Sequence, residues 1–164
     1  MTGKFEPVPT SWVSIDPGDK HVGWCEWWGT ECVRALHLNP EECVDRLEAA
    51  VGWPRGSPRM IEVVVYERWA LYAWNEESMA GNEFLTSQLI GVIKYVCLRS
   101  GVHRVPQFAS EGKRTYERSP WREWGIREWR EALKGPIGPG EHKKDAYAHG
   151  ANFLWGRGVR PCQS

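Results

Sequence analysis

The run Ile61-Glu62-Val63-Val64-Val65-Tyr66-Glu67 constrains the fold more than any other stretch. A run this apolar and β-branched fits a strand covered on both faces, which belongs in the middle of a sheet with helices packed above and below. It ends in a carboxylate. Upstream, Trp12–Asp16, His21–Trp28 and Glu31–Leu38 read as strands. Their linkers, Pro17–Lys20 and Gly29-Thr30, are too short to join parallel neighbours, so an antiparallel meander of three is expected. In the first strand Val13 and Ile15 alternate with Ser14 and Asp16, giving one apolar face and a second that ends in a carboxylate just before the Pro-Gly turn.

Helices follow from capping and period. Asn39-Pro40-Glu41-Glu42 places a capping residue, a proline at the first helical position and acids at the positive end of the dipole. Cys43, Val44, Leu47, Ala50 and Val51 form the apolar stripe, and Gly52 stops it. Asn82 caps a second helix to Arg99, with Leu85, Leu89, Val92, Ile93 and Val96 on one side and Gly101 as its stop. Val102–Phe108 is a fifth strand. Residues 54–58 and the polar stretch 109–118 read as loops, Ser119-Pro120 starts a helix carrying Trp121, Trp124, Trp129, Ala132 and Leu133, and His142–Leu154 is the last helix. The order β-β-β-α-β-α-β-α-α predicts an α/β fold in one domain spanning residues 1–164, with irregular ends at 1–10 and 156–164.

The formal charge is zero, which gives no global basic signal for nucleic acid. Its distribution is uneven: residues 1–98 hold 8 basic and 14 acidic side chains, and residues 99–144 hold 11 and 6. That predicts a polarised surface. Eleven tryptophans are divided between the core and basic surroundings where an indole can stack on bases. The five cysteines show no CxxC spacing and follow no signal peptide, so reduced thiols in a cytoplasmic protein are expected. No apolar run approaches the ~20 residues of a membrane span.

Three acids share a structural logic. Asp16 ends the first strand and Glu67 the fourth; if those strands are parallel neighbours, a helix crossing their carboxyl ends can deliver Asp145, with His142 on the same face at i−3. Clustered carboxylates repel unless a cation offsets them. An oxygen-rich set with one imidazole suits Mg²⁺ or Mn²⁺ better than Zn²⁺. His149, at i+4 from Asp145, is read as a packing or supporting residue rather than a ligand.

Ile15-Asp16-Pro17-Gly18 with Gly23, Glu67 closing an apolar strand, and His142-Lys143-Lys144-Asp145-Ala146 on the last helix together resemble the RuvC-type Holliday-junction resolvases of the ribonuclease H-like superfamily, in a variant similar to those of phages. The resemblance covers Trp12 to about Leu154. It implies a five-stranded mixed sheet, strands 1–3 antiparallel and strands 4 and 5 parallel to strand 1, with helices on both faces. It implies that Asp16, Glu67, His142 and Asp145 are catalytic metal ligands for two Mg²⁺ ions, with Mn²⁺ substituting, and that the chain is a homodimer cutting branched DNA in the cytoplasm, a host's cytoplasm if phage-encoded. Arg68, Trp69, Tyr72 and Trp74 beside the glutamate, Lys113, Arg114 and Arg118 after the last strand, and Lys143 and Lys144 are the implied DNA contacts. The Asn82–Arg99 helix is the candidate for part of the two-fold interface. The alternatives are a nuclease of the same fold acting on RNA–DNA hybrids or flaps, and a catalytically silent module that binds branched DNA.

Overall fold

The computed structural model describes residues 6–52, 60–68, 85–112 and 141–159. The chain runs β1 (Ser11–Asp16), β2 (Val22–Trp28), β3 (Glu31–Leu38), α1 (Pro40–Val51), β4 (Val63–Arg68), α2 (Leu85–Ser100), β5 (His103–Phe108) and α3 (Glu141–Gly156). The five strands form one sheet in the order β3-β2-β1-β4-β5. β1 pairs antiparallel with β2 and β2 with β3, whereas β4 lies parallel to β1 and β5 parallel to β4. This is the expected mixed sheet, with the apolar Val63–Val65 segment at its centre. The helix expected over 119–133, the loop 54–58 and the Asn82 cap lie outside the described residues.

Both faces are covered. On one, Val13, Ile15, Val22, Trp24, Val64 and Tyr66 pack against Cys43 and Leu47 of α1 and Leu89 and Ile93 of α2. On the other, Trp12, Cys25, Trp27, Val63 and Val65 pack against Ala146, Tyr147, Ala151, Phe153 and Leu154 of α3. Trp12 and Trp27 stack at 4.7 Å, with Phe153 and Tyr147 closing the aromatic group. The alternation in β1 therefore does not separate core from solvent. Ser14 is fully buried on the α3 face, where the Trp27 indole donates to its hydroxyl across 2.8 Å; a small polar residue fits beneath a helix once that bond is made.

α1 begins with the anticipated capping box, in which the Glu42 N–H donates to Asn39 Oδ1 and the Asn39 N–H to Glu42 Oε2, each at 2.9 Å. Gly52, in the left-handed conformation, ends it. Two segments depart from expectation. Residues 109–112 form a helical turn, because the Phe108 N–H is capped by the Glu111 carboxylate at 2.6 Å; an aromatic N-cap hides that signal in the sequence. The described part of the tail is also held. The Val159 N–H donates to the Leu154 carbonyl, and the Arg157 guanidinium lies over the Phe153 ring and pairs with Glu6. Cys25, Cys32, Cys43 and Cys97 are free thiols, as expected; Cys162 lies outside the described residues. No helix among the described residues is long and apolar enough to cross a membrane.

The start of α3 touches the sheet where β2 carries Gly23. A Cβ there would come within 1.8 Å of the His142 carbonyl oxygen and 2.9 Å of the Lys143 nitrogen, which forces α3 away from the sheet. Gly91, exposed on α2, has no atom within 4 Å of its Cβ position. Gly23→Ala is expected to lower the melting temperature by the equivalent of about 1–3 kcal/mol of overpacking. Gly91→Ala should be neutral or stabilising by up to ~1 kcal/mol through helix propensity. Thermal denaturation of the two variants checks both signs.

Candidate metal centre

The site grows from strand register. Asp16 pairs with Gly23 of β2, Ile15 pairs with Tyr66 of β4, and Glu67 pairs with Gln107 of β5. Asp16 and Glu67 each lie one residue beyond a paired neighbour, so Gly23, Asp16, Glu67 and Gln107 make one row across four strands. Residues in such a row share a face, and alternation from Trp12, Val63, Val65 and Val105 puts this row on the α3 side. α3 then crosses it. His142 lies over Gly23 and Asp16, its Nδ1 2.5 Å from Asp16 Oδ2. Two turns further along, His149 Nε2 lies 2.8 Å from Glu67 Oε2 and His149 Nδ1 2.9 Å from the Gln107 side-chain amide.

Asp16, Glu67, His142 and Asp145 border a single cleft of about 540 Å³, together with Pro17, Gly18, Lys20 and His21. The cleft's floor is carboxylate and its rim is the β1–β2 turn. That turn is anchored to α2, because Asp19 accepts from both the backbone N–H and the hydroxyl of Thr86. A larger cavity of about 740 Å³, between β1–β3 and α1, contains Trp24, Glu26 and Arg46. Of its three acidic residues, Glu26 pairs with Arg46 at 2.9 Å and Arg34 at 3.5 Å, and Glu42 accepts from the Asn39 N–H in the capping box.

Asp16 is 5% exposed. Burial pushes its carboxyl up from the ordinary 3.8 to about 6; the hydrogen bond with His142 opposes the rise, and the charges of Glu67 and Asp145 add to it. A buried carboxylate repelled by two others is a place for a cation, and the donors present fit one. Asp16, Glu67 and His149 offer ligand atoms within 4.8 Å of one another, and Asp145 and His142 line the same cleft. Oxygen donors dominate, as a hard divalent ion requires.

The structure thus brings together all four residues singled out as ligands. Lys144 is exposed and Lys143 half-buried beside them on α3. Arg68, at the end of β4, places its guanidinium 3.3 Å from the centre of the Phe108 ring on β5, directly after Glu67. Trp69, Tyr72, Trp74, Lys113, Arg114 and Arg118 lie outside the described residues. Two site residues have little signal in the sequence. Gln107 is visible only once β4 and β5 are in register. His21 faces the cleft, paired with His37 at 2.8 Å, and only the β2–β3 pairing brings those rings together.

Among solved structures, the chain is similar to Thermus thermophilus RuvC at 20% identity, with a TM-score of 0.54 over 90% of this chain and 96% of that one. The chain has the RuvC fold. A second structure, T. thermophilus RuvC in complex with Holliday junction substrate, matches at the same identity and TM-score over 87% of this chain and 91% of that one. The yeast mitochondrial Holliday junction resolvase Ydc2 is similar at 11% identity and a TM-score of 0.48, over 93% of this chain and 81% of that one. No family model and no curated protein matches the sequence. In this sheet Asp16 and Glu67 stand at the carboxyl ends of the adjacent parallel strands β1 and β4.

A carboxyl held at about 6 when folded and near 3.8 when unfolded favours the fold while it is protonated. That contribution is whole below about pH 4, fades as pH rises through 6 and is gone by pH 8. A rise of this size corresponds to about 3 kcal/mol. Asp16→Asn is uncharged at every pH, so its metal-free melting temperature should exceed the wild type's by on the order of 5 °C at pH 8. The gap should close toward pH 4. Melting curves of both proteins in EDTA across this range are the check.

Proposed function

We propose that the chain is one nuclease domain that cuts Holliday junctions and other branched DNA by divalent-metal-dependent phosphodiester hydrolysis. The observation that carries this reading is the meeting of Asp16, Glu67, Asp145 and His142 in one cleft, at the carboxyl ends of β1 and β4, in a chain with the RuvC fold. In this reading Asp16, Glu67 and Asp145 hold Mg²⁺, with Mn²⁺ substituting and two ions in the site, and His142 serves as a further ligand. The bound ions supply Lewis-acid activation of the attacking water and stabilisation of the departing oxygen. Asp16 must be ionised to bind them, so activity should fall as pH drops below about 6.

The chain's own groups define the rest. His142, on the open side of the cleft and hydrogen-bonded to Asp16, is placed to hold or pass a proton at Nδ1. Lys144 and Arg68 flank the carboxylates and would meet phosphates on either side, positioning the backbone without reading sequence. The products of this chemistry are 5′-phosphate and 3′-hydroxyl ends.

Two symmetric cuts require two sites, and α2 supports a homodimer. Leu85, Val92, Tyr95 and Leu98 expose apolar surface along one broad side of that helix. Leu98→Glu should convert a dimer to a monomer in sedimentation while leaving the melting temperature within ~1 kcal/mol equivalent. Paired cutting of a four-way junction should then give way to single nicks. An unchanged sedimentation coefficient would remove α2 from the interface.

The decisive test is cleavage of synthetic four-way junctions, replication forks, RNA–DNA hybrids and linear duplex with Mg²⁺, Mn²⁺ or EDTA. Junction cleavage should need metal and fall at least 10³-fold in Asp16→Asn, Glu67→Gln and Asp145→Asn. Preference for the hybrid would move the substrate to RNA. Binding of junctions without cleavage in any metal would leave a silent binding module.

A further inference from the structure

We infer that His149 is a positioning residue that holds Glu67 for metal from behind the cleft, with Gln107 fixing the orientation of its ring. This rests on the reading of Asp16 and Glu67 as metal ligands and adds to it a role for two residues that do not border the cleft.

The proton arrangement follows from the partners. An ionised carboxylate only accepts hydrogen bonds, so the His149 nitrogen 2.8 Å from Glu67 Oε2 must donate; two facing lone pairs at that distance would repel. A neutral ring then accepts at Nδ1 from the Gln107 amide, whose oxygen and nitrogen ends are nearly the same shape. A protonated ring donates from both nitrogens, to Glu67 and to the Gln107 carbonyl. Both arrangements place an N–H on Glu67. A ring nitrogen that carries a hydrogen has no lone pair for a metal, so His149 supports the ligand and is not itself one, although it lies close enough to Asp16 and Glu67 to belong to a metal set.

The ring is also locked. His149 is 1% exposed, and a Cβ on Gly112 would come 2.9 Å from its Cε1 and Nδ1, so the helical turn after β5 closes directly over it. Gln107 is buried and stands beside Glu67 in the same row of the sheet. One oxygen of Glu67 is thereby tethered to a fixed donor, and the carboxylate reaches the cleft in a single orientation. Supporting hydrogen bonds of this kind typically contribute a factor of 10–100 in metal affinity.

The test is Mn²⁺ alone, titrated calorimetrically into wild type, Asp16→Asn, His149→Ala, His149→Gln and Gln107→Leu, with metal-free melting curves for each. His149→Ala should weaken Mn²⁺ binding by about 10–100-fold. His149→Gln, whose amide N–H can reach Glu67, should recover most of that loss. Gln107→Leu should show an intermediate loss, and it decides the matter together with His149→Gln if His149→Ala fails to fold. Wild-type affinity in His149→Ala overturns the inference, as does a His149→Gln variant as weak as His149→Ala, since the Gln amide still offers Glu67 an N–H. Absence of Mn²⁺ binding in the wild type, or undiminished binding in Asp16→Asn, overturns the metal reading and the inference with it. Wild-type binding that Asp16→Asn abolishes while the His149 and Gln107 variants stay unchanged overturns the inference alone.

Discussion

The structure depends on a single in-register row, Gly23-Asp16-Glu67-Gln107, lying beneath one helix. Two of its members are carboxylates that would otherwise meet water, and the other two decide how α3 sits on them. Gly23 has no side chain, so the first turn of α3 approaches the sheet closely enough for His142 to reach Asp16. Gln107 and Glu67 at the other end take His149. The docking of α3 and the assembly of the site are therefore one event, and a change that lifts the helix disassembles the site.

The remainder of α3 supplies the stability that this end lacks. Beyond His149 the helix packs Ala151, Phe153 and Leu154 with Trp12 and Trp27, rings that bury large apolar area in stacked and tilted contacts. At about 25 cal/mol per Å² of apolar surface, such residues outweigh the penalty of one buried carboxylate. The helix is thus anchored at its carboxyl half and strained electrostatically at its amino half. Acidic repulsion is concentrated where an ion would relieve it.

Much of this was legible in the residues. The apolar Ile61–Glu67 run, the short β1–β2 and β2–β3 linkers and the Asn39 capping box each encode a local decision with few alternatives, whereas the parallel placing of β4 and β5 beside β1 rests on the family resemblance. Asp16, Glu67, His142 and Asp145 stood out because each closes a strand or shares a helical face. What could not be read is what depends on pairing register. Gln107 looks like any polar strand residue until β5 is set against β4, and His149, read as a packing or supporting residue, gains a named partner only when Glu67 is placed beneath it. Ser14 depends on pairing in the same way, since its buried hydroxyl finds its partner in Trp27 only when β2 lies beside β1.

The two histidines on α3 show how one helix can divide labour by depth. His142 and His149 are seven residues apart, two turns, and so lie on the same face. His142 borders the open cleft, and a ring there can exchange protons with water. His149 is buried, closed off by Gly112 and held by Gln107. That difference in burial originates in the sheet, where Gly23 thins one end of the row and Gln107 fills the other.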